Sequence, residues 1–191
     1  MLNETLSRIR RNHGLEHATI HMLTQNHGEF SAQGNSDHRG FSLNVYGNVS
    51  EADVKKAVQE AFTRMKGGEH QLAVHPNCGT VLLTTATLAT LAGQAVFGLE
   101  MKRNGRNKLD LYTLLNTLPT AILAVVAALI ISRPLGIYLQ AQYTVAGDLG
   151  QMEIRSVRQV NPSPITRLFH LLLTGNNPNL QARSYRIETV G

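Results

Sequence analysis

Apolar residues recur at helical spacing in two stretches near the start of the chain. The first stripe predicts a helix over residues 3–25. The second predicts a helix that begins at Ser50-Glu-Ala-Asp53, which resembles a capping box, and ends at Gly67-Gly68. The first stripe consists of Leu2, Leu6, Ile9, Ile20 and Leu23.

Apolar and polar residues alternate with period two between and after these helices. Residues 41–46 alternate strictly, and residues 29–33 precede them across a polar turn at 34–40, which together predict a β-hairpin. Residues 71–75 predict a further short strand. The order α-β-β-α-β predicts a small α+β lobe over residues 1–78, with its helices on one face of an antiparallel sheet.

Two runs without any charged residue follow, at residues 79–99 and 111–132. Each has about 20 residues, the length that crosses a hydrocarbon core of about 30 Å. We therefore predict a transmembrane helical hairpin over residues 79–133. The alternative is a pair of fully buried core helices, which a chain this short could hardly enclose on all sides.

The connector at residues 100–110 is basic, and the positive-inside rule assigns it to the cytoplasm. Both lobes would then lie outside, although the N-terminus lacks the pattern of a cleaved secretory signal. The opposite orientation breaks the charge rule, so the sequence leaves both open. The basic residues are Lys102, Arg103, Arg106 and Lys108.

Residues 134–191 predict a small, basic α/β lobe. Strands are expected at 152–160 and 184–190, separated by a helix that begins at Ser163-Pro164 and ends at Gly175. Because each lobe alone is small, we expect the two lobes to touch, with the C-terminal strands extending or covering the N-terminal sheet.

Composition agrees with a membrane location. Only 16% of the 191 residues are charged, and the net charge is +5, so anionic headgroups of a lipid bilayer are the expected partner of the basic excess. Nucleic acid is not expected, because no binding motif or base-stacking aromatic set is present. A single cysteine excludes an intramolecular disulfide and a multi-cysteine zinc site.

The sharpest motif is His13-Gly14-Leu15-Glu16-His17, an H-x-x-E-H pattern on the first predicted helix. His13 and His17 lie one turn apart, a spacing that allows both imidazoles to bind one zinc ion. Glu16 could act as the general base toward a bound water. Alternatively, the three side chains form a structural hydrogen-bonded cluster, since they interrupt the stripe meant for burial.

A zinc site needs further ligands, and His75 and Cys78 in His75-Pro-Asn-Cys78 have a plausible spacing. The predicted metal ligands are therefore His13, His17, His75 and Cys78. The alternative interpretation of residues 75–78 is a turn that caps the first membrane helix. The other candidate ligands are His21, Glu69 and His70.

Three blocks resemble an uncharacterised family of small bacterial integral membrane proteins, a domain of unknown function. They are His13-Gly-Leu-Glu-His-Ala-Thr19, Asn77-Cys-Gly-Thr80 and Asp148-Leu-Gly-Gln-Met-Glu-Ile154. This resemblance implies a membrane protein and supplies no activity. The H-x-x-E-H motif is also that of the inverzincin metallopeptidases, but this chain is far shorter and lacks a clear downstream acidic helix.

Two functions follow from these features. The first is a multi-pass protein of the cell membrane that binds zinc and could act as a metallohydrolase through Glu16. The second is a non-catalytic membrane subunit, scaffold or assembly factor that binds other membrane proteins.

Overall fold

The computed structural model describes residues 2–28, 30–103, 105, 110–164, 166–168 and 183–191. It divides the chain into two compact units. The first unit combines Met1–His75 with Ala141–Gly191, and the second is Pro76–Gln140. The first and third of the three predicted segments thus fall largely in one unit.

The first unit has two long helices and four strands. A short 3-10 helix at His70–Ala73 follows the second long helix. The helices are α1 (Leu2–Asn26) and α2 (Glu51–Lys66), and the strands are β1 (Phe30–Asp37), β2 (Gly40–Gly47), β3 (Glu153–Val160) and β4 (Arg183–Val190).

The four strands form one antiparallel sheet in the order β1-β2-β4-β3. In the central pair, Phe41 lies opposite Ile187 and Leu43 lies opposite Tyr185. The expectation that the C-terminal strands extend the N-terminal sheet is confirmed. There is consequently one sheet in the described part of this unit, shared by the two predicted lobes.

The strand predicted at residues 71–75 is wrong. Residues His70–Ala73 form the 3-10 helix, and neither Val74 nor His75 pairs with a strand in the described part of the chain. The carbonyl oxygens of Ala73 and Val74 accept hydrogen bonds from histidine side chains of α1 instead. Side chains therefore satisfy the backbone groups that a strand would have offered to a neighbour.

The β-hairpin is tighter than predicted. β1 continues to Asp37, so that only His38 and Arg39 connect it to β2. Gly40 has φ +143°, and a Cβ at this position would overlap the carbonyl oxygen of Ile187. The polar residues assigned to a turn lie instead along an edge strand, where one side faces solvent.

α1 and α2 cover one face of the sheet and enclose the hydrophobic core. The predicted capping box of α2 is confirmed, since Ser50 and Asp53 exchange hydrogen bonds. Core side chains from the sheet and helices include Leu15, Met22, Phe41, Leu43, Val54, Val58, Met65, Tyr185 and Ile187.

The opposite face of the sheet is polar. Arg186 donates to Asp37 at 2.9 Å, and Arg158 donates to Glu188 at 3.0 Å. Hydrogen bonds from Ser156 and Arg158 hold the pKa of the Glu188 carboxyl below its usual value. Among the described residues, the apolar core therefore lies on the helix side of the sheet.

Tyr185 is fully buried, and its hydroxyl has no hydrogen-bond partner among the described residues. An unsatisfied buried hydroxyl is destabilising, so we expect Tyr185→Phe to keep or raise stability, by up to about 1–3 kcal/mol. Thermal unfolding followed by circular dichroism tests this. A clear loss of stability would show that the hydroxyl is satisfied in solution.

The second unit is a pair of antiparallel helices, α3 (Gly79–Arg103) and α4 (Leu111–Leu139), and a π-helical turn at Gln140–Thr144 follows α4. The two predicted helices are confirmed, and α4 is longer than expected. Thr85 and Ser132 share a hydrogen bond of 3.0 Å between the helices. A Cβ at Gly136 would lie 2.9 Å from the Val81 Cα, so this glycine allows the two backbones to approach closely.

The burial pattern of this pair is inverted relative to a soluble domain. The buried positions of α4 are small or polar, whereas most of its leucines and isoleucines are exposed; Leu123 and Ile130 each have 71% of their surface accessible. Both helices are long and apolar enough to cross a membrane. The buried residues of α4 are Thr113, Thr117, Ala121, Ser132 and Gly136.

The predicted start of the C-terminal helix is confirmed, because the Thr166 amide donates to Ser163 Oγ at 3.1 Å. The rest of that predicted helix, from Phe169 to its end at Gly175, lies outside the described residues. Two basic residues of the connector, Arg106 and Lys108, also lie outside them.

Candidate metal centre

Four histidines form a continuous cluster in the first unit. The ring centroids are 4.4 Å apart for His13 and His17, 5.8 Å for His17 and His75, and 4.8 Å for His75 and His21. Three of the rings come from successive turns of α1, and the fourth follows the 3-10 helix. Three of the four predicted ligands, His13, His17 and His75, therefore lie side by side in this unit. His21 is the fourth ring of the cluster.

Backbone carbonyl groups orient the two motif histidines. Nδ1 of His13 lies 2.9 Å from the Thr144 carbonyl oxygen, and Nδ1 of His17 lies 2.7 Å from that of Ala73. A carbonyl oxygen only accepts, so Nδ1 carries the proton in both rings. In the neutral imidazole the lone pair is then on Nε2, the nitrogen that would bind a metal. Metal-binding histidines usually have their other nitrogen fixed in this way.

His21 has the opposite tautomer. Its Nε2 lies 2.9 Å from the Val74 carbonyl oxygen, which assigns the proton to Nε2 and the lone pair to Nδ1. The His75 ring lies next to both His17 and His21. His21 is thus held by the Val74 carbonyl, with its ring packed against that of His75.

Gly14 allows a chain segment to pass close to α1 between the two motif histidines. A Cβ at this position would overlap the Ala146 carbonyl oxygen and lie 3.1 Å from the Ala73 Cβ. The Ala146 amide donates to the Arg10 carbonyl at 2.9 Å, and the Arg10 guanidinium donates to the Val145 carbonyl at 3.0 Å. Sequence reasoning missed both Gly14 and Arg10, although a glycine inside a helical stripe is a signal of close packing.

Glu16 lies against the sheet. Its side chain is 4% exposed, and Oε2 accepts a hydrogen bond from Ser36 Oγ at 2.6 Å. A Cβ at Gly34 would overlap the Glu16 carboxylate. The glycine of β1 therefore makes room for this side chain, and Ser36 satisfies part of its hydrogen-bonding capacity.

Asn12 is a further buried polar residue of α1 that sequence reasoning did not single out. It is fully buried, donates to the Asp37 carbonyl at 2.8 Å and accepts from Thr189 Oγ1 at 2.7 Å. It connects α1 to the ends of β1 and β4. The apolar stripe places Asn12 off the face predicted to be buried, so only contacts with these distant segments show its role.

The remaining candidate ligands are engaged elsewhere. Arg64 donates to both oxygens of Glu69, at 2.9 and 2.6 Å, and these bonds hold the pKa of the Glu69 carboxyl below its usual value. His70 packs against Gly147. His38 is exposed, in the turn between β1 and β2.

Cys78 belongs to the second unit and immediately precedes α3. Its carbonyl accepts from the Leu82 amide at 3.1 Å, and its thiol lies 3.7 Å from Thr80 Oγ1. Because Cys78 follows His75 by three residues, chain connectivity alone keeps the two Cα atoms within about 11 Å.

The fold and the cluster define an α+β protein with a membrane-length helical hairpin and a candidate metal centre of histidines. The chain belongs to the DUF6391 family, a domain of unknown function, whose family model matches residues 8–157. It is similar to an uncharacterised protein of Picosynechococcus sp. (strain ATCC 27264 / PCC 7002 / PR-6), with 33% identity over 174 residues that cover 84% of this chain and 78% of that protein. No solved structure matches the chain. The expected membership of an uncharacterised family is confirmed.

Proposed function

We propose that this protein is a membrane-anchored zinc-binding protein. The observation that carries the proposal is the pair of Nδ1 hydrogen bonds to backbone carbonyls, which orients His13 and His17 and places the lone pair of each ring on Nε2, a nitrogen that can bind a metal. His75 adds a third imidazole beside His17. Cys78, three residues further along the chain, is the proposed fourth ligand.

The donor set suits zinc. Three imidazoles and one thiolate are borderline-soft ligands, which tetrahedral zinc sites combine. Ordinary Ca²⁺ and Mg²⁺ sites are built from oxygen ligands, whereas the proposed ligands here are nitrogen and sulfur atoms.

The second unit is the proposed membrane anchor of the protein. Its helices expose leucine and isoleucine and bury threonine, serine and glycine, which is the arrangement expected when the surroundings are lipid. We propose that α3 and α4 cross the cell membrane as a hairpin, with the lipid bilayer as the partner of this surface.

The hairpin predicts the topology of reporter fusions. Fusions at Asn48 and at the C-terminus should report the same side of the membrane, and a fusion at Asn104 in the connector should report the other. Paired activity reporters, one active only in the cytoplasm and one only outside it, give the measurement. If all three fusions report the same side, the hairpin is contradicted. If they follow the hairpin, the side reported at Asn104 decides between the two orientations.

Hydrolysis is a further step that the motif allows. A zinc ion held by these ligands would supply Lewis acidity, and Glu16 is the residue of this chain proposed to accept a proton from the attacking water. In this role Glu16 is a base and not a ligand. Glu16→Gln should therefore retain zinc while any hydrolytic activity is lost.

The test of the proposed function is the metal content of the full chain, purified in detergent and measured by inductively coupled plasma mass spectrometry. We expect about one zinc per chain, and loss of zinc in His13→Ala and His17→Ala. His38→Ala, a change of the same size at an exposed histidine, should keep it. Folded protein that contains no zinc and binds none when zinc is supplied would overturn the proposal.

A second candidate is a non-catalytic subunit or scaffold for other membrane proteins. It is favoured by the same histidine bonds, because they attach the segments at Ala73 and Thr144 to α1 without any metal. In that case His13→Ala and His17→Ala should both lose stability and neither should change metal content.

A further inference from the structure

One exposed face of α3 carries polar residues among apolar ones. Thr87, Thr90 and Gln94 are exposed, and both threonines lie within about 40° of Gln94 around the helix, at about 100° per residue. The Gln94 side-chain amide forms no hydrogen bond with any of the described residues. Leu83, Leu91 and Gly98 share this face.

Gln94 lies within the proposed span, toward the end that precedes the connector. It is six residues before Glu100, the first charged residue after the run, so about 9 Å of helix separates the two. A position about 9 Å inside the end of a hydrocarbon core about 30 Å thick still lies among the lipid chains. A primary amide exposed to lipid there leaves two donors and an acceptor unsatisfied, which is costly.

We propose that two copies of this chain associate through this face of α3, with the Gln94 amides hydrogen-bonded to each other. Copies inserted with the same topology present Gln94 at the same depth, and a two-fold axis along the membrane normal brings each residue opposite its own counterpart. An amide is self-complementary, because it donates through nitrogen and accepts through oxygen. If this position carried a charge, the side chains of the two copies would repel each other.

The neighbouring residues allow the close approach that this pairing needs. Thr90 and Gly98 lie one turn before and after Gln94, and both are small. Small residues at such positions allow membrane helices to pack closely, and interhelical amide bonds then add to the association. Lipid headgroups lie outside the hydrocarbon core, so they do not satisfy the Gln94 amide.

The dimer rests on the proposed membrane hairpin and is independent of the metal site. The experiment uses the full chain with a fluorescent protein at its C-terminus, reconstituted in phosphatidylcholine vesicles over a range of protein-to-lipid ratios. Energy transfer between copies should rise with protein density and saturate. Gln94→Leu makes α3 more apolar, so insertion is preserved, and it should weaken the dimer by about threefold to thirtyfold.

Leu82→Ala is the matched control, since Leu82 is exposed on the same helix but lies about 120° from Gln94. It should leave the association unchanged. A monomeric wild-type chain at all densities would overturn the proposal, as would a Gln94→Leu variant that associates as strongly as wild type. Association only with a different membrane protein would also overturn it, whatever the zinc content.

Discussion

Asparagine in place of His17 should abolish zinc binding without undoing the fold. The amide nitrogen of asparagine occupies the position of histidine Nδ1, so His17→Asn can still donate to the Ala73 carbonyl, which accepts at 2.7 Å in the wild type. Asparagine has no atom in the place of Nε2, the proposed ligand. Loss of the partners that orient ligands already costs about 10–100-fold in affinity, so loss of a ligand itself should cost more.

Alanine at the same position separates the two roles of the ring. His17→Ala removes the ligand and also removes the donor to the buried Ala73 carbonyl. An unsatisfied buried carbonyl costs about 1–3 kcal/mol of stability. We therefore expect both variants to lose zinc, and only His17→Ala to lose stability when the proteins are compared without metal. The measurements are zinc stoichiometry and thermal unfolding in detergent with a chelator.

His38→Asn is the control, because it makes the same chemical change at an exposed turn. It should match wild type in both measurements. A His17→Asn variant that retains one zinc per chain would exclude His17 as a ligand. If zinc is absent from every protein and His17→Asn is as stable as wild type, the histidine serves to attach the 3-10 helix segment, and the scaffold function is preferred.

Alanine in place of Gly14 should disrupt the packing around both motif histidines. The added methyl group would overlap the Ala146 carbonyl oxygen, a backbone atom that cannot rotate away, and would crowd Ala73. Overpacking of this kind costs about 1–3 kcal/mol or more. The gain of about 1 kcal/mol from replacing a glycine within a helix offsets only part of this cost.

The Gly14→Ala variant should also bind zinc more weakly. If the segment at Ala146 moves away from α1, the Thr144 carbonyl moves with it, and His13 loses the acceptor that orients its ring. Thermal unfolding and metal content measure the two effects. Gly28→Ala is the control, since a Cβ there would have no neighbour within 4 Å. A Gly14→Ala variant more stable than wild type would show that the two segments are not in close contact in solution.

Much of the secondary structure is determined by local pattern. The helical stripes predicted α1 and α2 within a few residues, and the charge-free runs predicted α3 and α4. Strict alternation predicted β2. These elements depend on neighbours within one or two turns, or on the residue two positions away, and such neighbours are visible in the sequence itself.

The motif was also visible in the sequence, as was the chemistry that its side chains allow. His13 and His17 had to share a helix face because of their spacing. His75 was named from its position after the last predicted N-terminal element, and its ring does lie beside His17.

The tertiary structure decided what the sequence could not. Pairing of β2 with β4 joins residues more than 130 positions apart, for which a single chain carries no local signal. The segment at 71–75 has strand-like composition, but its carbonyls are taken by imidazoles of α1. Gly14, Asn12 and Arg10 matter only because particular backbone atoms from distant segments approach them. Helical periodicity fixes which side of α1 is buried, whereas contact across the fold fixes which atoms each histidine meets and thus which ring nitrogen carries the lone pair.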